Sequence, residues 1–170
     1  ELEWVGCLPG KRESRRYVGR YILTENDVEA GGKFKDTIAY GGWPMDDHSP
    51  AGFYSFKEKN PPSKLYPAPS PYGIPYRSLY SANIKNLFFA GRNISATHAA
   101  MSSTRVMATC SLLGQAMGTA AAICVNENLT PDGVYEERLE ELQGKLMDAG
   151  CYLPGFVRNI PELSKSAKLN

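Results

Sequence analysis

The chain has 170 residues, 42% hydrophobic and 22% charged, enough for one domain with a buried core and ordinary for a globular protein. Its 19 Lys and Arg against 18 Asp and Glu leave a net charge of +1, which argues against a dedicated nucleic-acid surface. The basic cluster Lys11, Arg12, Arg15, Arg16 and Arg20 is interrupted by Glu13 and reads as a solvated or ion-paired face.

The four cysteines, Cys7, Cys110, Cys124 and Cys151, form no CxxC pair and are too widely spaced for a local metal knot, so no metal site is expected. Cys110 and Cys124 lie in an alanine-rich apolar run, where Cys serves as a small hydrophobe, and a reduced, cytoplasmic protein is the default expectation. No signal peptide is visible. The longest apolar run, Met117 to Val125, falls short of a membrane span, so none is expected. A chain beginning at Glu1 rather than Met reads as a fragment or a processed chain.

In chain order, Tyr17 to Leu23 is rich in β-formers and reads as a strand. Thr24-Glu25-Asn26-Asp27 has the pattern of a capping arrangement, with Thr24 as N-cap and Asp27 at the third helical position, and Gly31-Gly32 stops the short helix. Phe34 to Gly42 fits a short helix or a strand. Residues 44–75 hold eight prolines and read as a loop-rich segment, either functional or an irregular excursion held by its tyrosines. Pro75 to Tyr80 reads as extended. Ile84 to Ala90 ends in four apolar residues and reads as a strand buried on both faces, as in a parallel sheet covered by helices.

Gly91 and a polar loop follow, then a helix over about 107–127 with no charge between Cys110 and Val125. Gly114 and Gly118 are four apart on one helix face, which implies close approach by a backbone or a ligand, or tight packing on a sheet. Thr130-Pro131-Asp132 starts a further helix over 131–149 that Gly150 stops, and a polar tail occupies 151–170. There is no GxGxxG, no GxSxG and no intact P-loop, and His48 and His98 are the only histidines. A helix N-terminus after a strand and a glycine turn prefers an anionic or electron-rich ligand. Phosphate, carboxylate and a flavin carbonyl all fit.

The run Asn86-Leu87-Phe88-Phe89-Ala90-Gly91-Arg92-Asn93-Ile94-Ser95-Ala96-Thr97-His98 resembles the late strand and turn of FAD-dependent oxidoreductases of the glutathione-reductase and fumarate-reductase type. Met101 to Ala122, with Ser103-Thr104-Arg105-Val106-Met107 and Leu113-Gly114-Gln115-Ala116-Met117-Gly118, resembles the helix that follows. Arg12 to Arg16, Leu23 to Val28, Asp47-His48 and Ile74 to Leu79 are similar too, and the likeness covers residues 10 to 150.

The resemblance implies a mixed α/β fold. It would be the C-terminal portion of a two-part, Rossmann-like FAD-binding domain (73–150) with part of a substrate or cap domain (1–72). The N-terminal FAD-binding half of the same polypeptide would be its partner. The implied cofactor is FAD. Gly91, Arg92 and Asn93 would lie on its ribityl-pyrophosphate side, and Ser111, Leu112, Gly114, Gln115 and Ala116 would face the N1–C2 carbonyl edge of the flavin ring. Arg92 stands where many relatives carry an acidic residue. The implied function is flavin-mediated hydride or electron transfer on a small molecule. Arg105 would anchor a substrate carboxylate or the flavin, and His98 and His48 would act as acid or base. The plain alternatives are an ion-paired Arg105, a structural His98 and a surface His48. The isolated chain is expected to hold FAD weakly or not at all. A second reading makes it a non-catalytic assembly module, burying its apolar helix against a partner or its own copy.

Overall fold

In the computed structural model, which describes residues 1–8, 13, 15–56, 61–69 and 71–160, the first helix forms where the sequence places its cap. This helix, α1 (Glu25–Glu29), has the Thr24 hydroxyl accepting from Asp27 N–H at 3.3 Å and the Asp27 carboxylate accepting from Thr24 N–H at 2.9 Å. Two donors that the helix cannot satisfy internally are thereby paired. Gly32, at φ +54, follows in the left-handed region and lies flat against Gly73. A Cβ on Gly73 would sit 2.3 Å from Gly32 O, against backbone that cannot swing aside. Gly73→Ala should therefore destabilise the protein by about 1–3 kcal/mol, read as a lower thermal midpoint. An unchanged midpoint would mean that the two backbones separate freely.

Strand β1 (Thr37–Gly41) pairs antiparallel with β4 (Tyr72–Pro75), and β2 (Met45–His48) pairs antiparallel with β3 (Ser63–Tyr66). The segment expected to be loop-rich thus carries three short strands and a 3-10 turn at Gly52–Phe56. Its prolines fall between these elements or at a strand end, where a missing N–H breaks no ladder. Lys11 and Arg12 of the basic cluster, residues 57–60 and the end of the tail (161–170) lie outside the described residues.

Two expected strands do not form. Tyr17 to Leu23 bends at Arg20 and Tyr21 and is held by isolated bridges, Gly19 to Ser81 and Leu23 to Ala96, rather than by a ladder. Ile84 to Ala90 makes only the bridge from Phe88 to Tyr80, and Ile84, Lys85 and Asn86 are exposed. A strand is defined by a regular neighbour as much as by its own side chains. Here the neighbour is irregular, because Tyr76–Ser78 coils into a 3-10 turn instead of staying extended. Among the described residues both sheets are two-stranded and antiparallel, so the expected parallel sheet is absent there, and the fold is mixed α and β with small sheets.

Helix α2 (His98–Thr104) is capped by Thr97, whose hydroxyl accepts from Ala100 N–H, and α3 (Met107–Glu127) ends at Asn128 in the left-handed conformation. The single helix expected over 131–149 is two: α4 (Pro131–Glu137), capped by Thr130 with Pro131 in its first turn, and α5 (Leu139–Asp148). The break is Arg138, at φ −133, whose side chain pairs with Glu127 and Glu141. The bend lets Val134 of α4 and Leu142 and Leu146 of α5 all enter the core, where α3 meets both helices.

That core is rich in tyrosine. Burial pushes the Tyr72 phenol up to about 12, and it raises Tyr76 and Tyr80 as well. Raised folded values mean that stability is complete below the ordinary tyrosine range near pH 10 and is lost above it, as the unfolded chain releases protons that the folded chain keeps. The loss is about 1.4 kcal/mol per pH unit for each phenol. Of the ten phenols, those of Tyr72, Tyr76 and Tyr80 should therefore ionise only together with unfolding. Phenolate absorbance equivalent to all ten tyrosines in a still-folded chain would contradict this.

By length and composition alone α3 is long and apolar enough to cross a membrane, a test that the core helix of a globular domain also passes; 33% of the qualifying window is buried in this chain. Its inner face (Leu113, Ala116, Met117, Ala120, Ile123) packs into the core. On the outer face Gly114 and Gly118 are exposed, and a Cβ added to either would meet nothing within 4 Å. The close approach inferred from their spacing is thus not made by any described residue.

Candidate functional site

The chain breaks between α2 and α3 at Arg105, the C-cap of α2, so its side chain leaves the helix end and reaches β2. Packing of α2 against β2 aligns the two elements, and the Ser103 hydroxyl pins α2 by donating to Trp43 O at 2.5 Å. At the other end of α2, the Thr97 hydroxyl donates to Glu25 of α1 at 2.9 Å. These ties set one helix between two fixed neighbours, with His98 at its start and Arg105 at its end.

Around Arg105 the charges interlock. Its Nη1 lies 2.9 Å from Glu13 Oε1, and its Nη2 donates to Asp46 O at 3.1 Å and faces His48 Nε2 at 2.9 Å. A guanidinium only donates, so His48 Nε2 is the acceptor and its proton sits on Nδ1, which faces Glu13 Oε1 at 3.2 Å. One carboxylate thus orients both the arginine and the histidine. His98 Nε2 lies 2.8 Å from Asp47 Oδ1 and 3.3 Å from His48 O. Asp47 Oδ1 nevertheless has no hydrogen bond, because the ring N–H is not aimed along the short line. Arg105 Nε is likewise buried and unpaired.

Beside this cluster is a cavity of about 380 Å³ lined by Arg105, Arg92, Glu13, Asp46 and the first residues of α3. Val106, the N-cap of α3, supplies no side-chain cap, and Met107 is 89% exposed. The N–H groups of Met107, Ala108 and Thr109 have no partner within the helix, and the first helical bond is Cys110 N–H to Val106 O. The cavity therefore combines two guanidiniums and a helix N-terminus, a set that can bind an anion. The two imidazoles, backed by carboxylates, do not line it; His48 reaches it only through Arg105, and His98 lies behind His48 O.

The structure brings together the three residues proposed for chemistry, Arg105, His48 and His98. Gly91 sits at φ +90 in the turn before them, Arg92 is exposed, and Asn93 O accepts from Tyr17 N–H at 2.9 Å. Ser111, Gly114 and Gln115 lie on the open face of α3, while Leu112 is half-buried and Ala116 is in the core. The helix begins at Met107, so residues 111–116 are a turn or more inside it, and their N–H groups are used within the helix. Reading the sequence for catalytic residues missed Glu13, seen only as an interruption of a basic run, and Asp46. The one available signal was the run Asp46-Asp47-His48. Among the described residues no cluster has the donors for a metal ion.

The family model for FAD dependent oxidoreductases matches residues 1–146 of the chain. No curated protein and no solved structure matches it.

Proposed function

Because the chain belongs to the FAD-dependent oxidoreductase family, we propose that it supplies the second half of a flavin site together with the groups that bind and protonate a small-molecule substrate. The observation that carries this reading is the convergence of Arg105, His48 and His98 beside the uncapped start of α3. The donors there suit an electron-rich ligand: an orphaned guanidinium nitrogen, three free N–H groups and a glycine turn that keeps side chains out of the way. Gly91, Arg92 and Asn93 would hold the ribityl-pyrophosphate side, and the first turn of α3 the electron-rich ring edge. FAD, when bound, supplies hydride transfer.

The chain's own residues do the rest. Arg105 binds a substrate carboxylate, held in place by Glu13 and the Asp46 carbonyl. His48 and His98 hold or move a proton, the first oriented by Glu13 and the second lying against Asp47. The open face of α3 belongs to a two-part Rossmann-like arrangement completed by another part of the polypeptide. The test is the visible spectrum and released flavin of the polypeptide that carries both halves of the site. Stoichiometric FAD is expected there, with little or none on this chain alone, and a two-half polypeptide that stays colourless with added FAD would overturn the proposal.

The exposed small-residue face of α3 also favours the second reading, an assembly module. Gly118→Leu separates the two. With open space around Gly118, the substitution leaves the chain's own core intact and improves helix propensity by about 1 kcal/mol. Loss of bound FAD with the oligomeric state unchanged supports the flavin reading, whereas a shift in oligomeric state with FAD retained supports assembly.

A further inference from the structure

A second cavity, of about 660 Å³, lies between residues 15–18 with Ile22 and the segment at 93–96, and it shares no lining residue with the Arg105 cavity. Ser95 lines it and is 1% exposed. Its backbone is fully engaged, with N–H to Ser78 O at 3.0 Å and its carbonyl accepting from Leu23 N–H at 3.0 Å. Its hydroxyl has no partner at all. Buried polar groups are nearly always paired, so an orphan facing a cavity is explained by a ligand that pairs it.

The other polar groups around this cavity supply positive charge. Arg16 is fixed by Nε donating to Ala96 O at 2.9 Å and Nη1 donating to Glu13 O at 3.0 Å, which leaves Nη2 uncommitted. Arg15 is exposed, and among the described residues neither arginine pairs with a carboxylate, unlike Arg20, Arg77, Arg105, Arg138 and Arg158. Tyr17, Val18 and Ile22 form an apolar wall and remain 51%, 61% and 49% exposed. We propose that this cavity binds the anionic oxygens of a carboxylate or phosphate, on a ligand whose apolar body lies along Tyr17, Val18 and Ile22. Two guanidiniums give charge-assisted bonds and the Ser95 hydroxyl gives a third donor. The proposal does not depend on a catalytic role for Arg105. Because Asn93 lines the cavity, the anion is either the flavin's own pyrophosphate or a separate small acid.

The experiment titrates the polypeptide that carries both halves of the flavin site, without FAD and again at saturating FAD, with inorganic phosphate at constant ionic strength, following the thermal midpoint. Phosphate should raise the midpoint as a bound ligand does, and Arg15→Gln and Ser95→Ala should each weaken the response about tenfold. Arg158→Gln, which removes an equal charge elsewhere, should leave it unchanged. A response that survives saturating FAD assigns the site to a separate acid, and one that FAD abolishes assigns it to the pyrophosphate. Benzoate should act at lower concentration than acetate, and equal potency would remove the apolar body from the proposal. No phosphate response in either form, or a Ser95→Ala protein that is merely more stable with an unchanged response, overturns the site.

Discussion

Replacing Arg77 with alanine should cost about 3–5 kcal/mol of stability and lower the thermal midpoint by roughly 6–20 °C. Asp36 is 0% exposed, and its carboxylate accepts from Arg77 Nε at 2.9 Å, Nη2 at 3.1 Å and backbone N–H at 3.2 Å. The guanidinium also lies over the rings of Tyr21 and Tyr135, at 5.2 and 5.4 Å from their centroids. Truncation would leave a carboxylate buried with one N–H donor in place of three. Arg77→Lys keeps the charge but loses the fork and the planar stacking, so it should recover only part of the loss. In the double variant Arg77→Ala with Asp36→Ala no charge is left stranded, and the loss should fall short of the sum of the two single losses. Additive losses in denaturant unfolding would mean that the two side chains act independently.

The second large effect is on turnover. Arg105→Ala in the FAD-loaded protein should lower kcat/KM by about 100-fold or more, the scale for losing a preorganised charged donor in a water-poor site. Arg105→Lys should rescue little, since one ammonium cannot reach Glu13, the Asp46 carbonyl and His48 Nε2 together. FAD content and the thermal midpoint are measured alongside, because a purely structural arginine would lower both with activity. Retained flavin and fold with lost turnover marks Arg105 as the anchor, and unchanged turnover would remove it from the site.

Local features were legible in the residues themselves. The reciprocal bonds of Thr24 and Asp27 and the start of α4 at Thr130-Pro131 follow from which side chains can pair free N–H groups within three positions of themselves. The chemical candidates were legible too, because few residue types carry charge or exchange protons near neutral pH, and this chain has only two histidines. Their meeting was not. Arg105 and His48 are 57 residues apart, and Arg77 and Asp36 are 41 apart. Only the packing of α2 on β2, and the 3-10 turn at Tyr76–Ser78 tied by Tyr76 N–H to Asp36 O, brings such pairs within reach. The same holds for the failures. Ile84 to Ala90 has the composition of a strand but no regular neighbour to pair with, and Arg138, a good helix former, breaks a helix because two apolar faces must turn toward one core. The sequence alone determined the caps, the turn glycines and the identity of the reactive groups, since these depend on bonds made a few residues away. The tertiary structure decided which of those groups share a site, because charge pairing and burial act between surfaces that the chain order does not bring together.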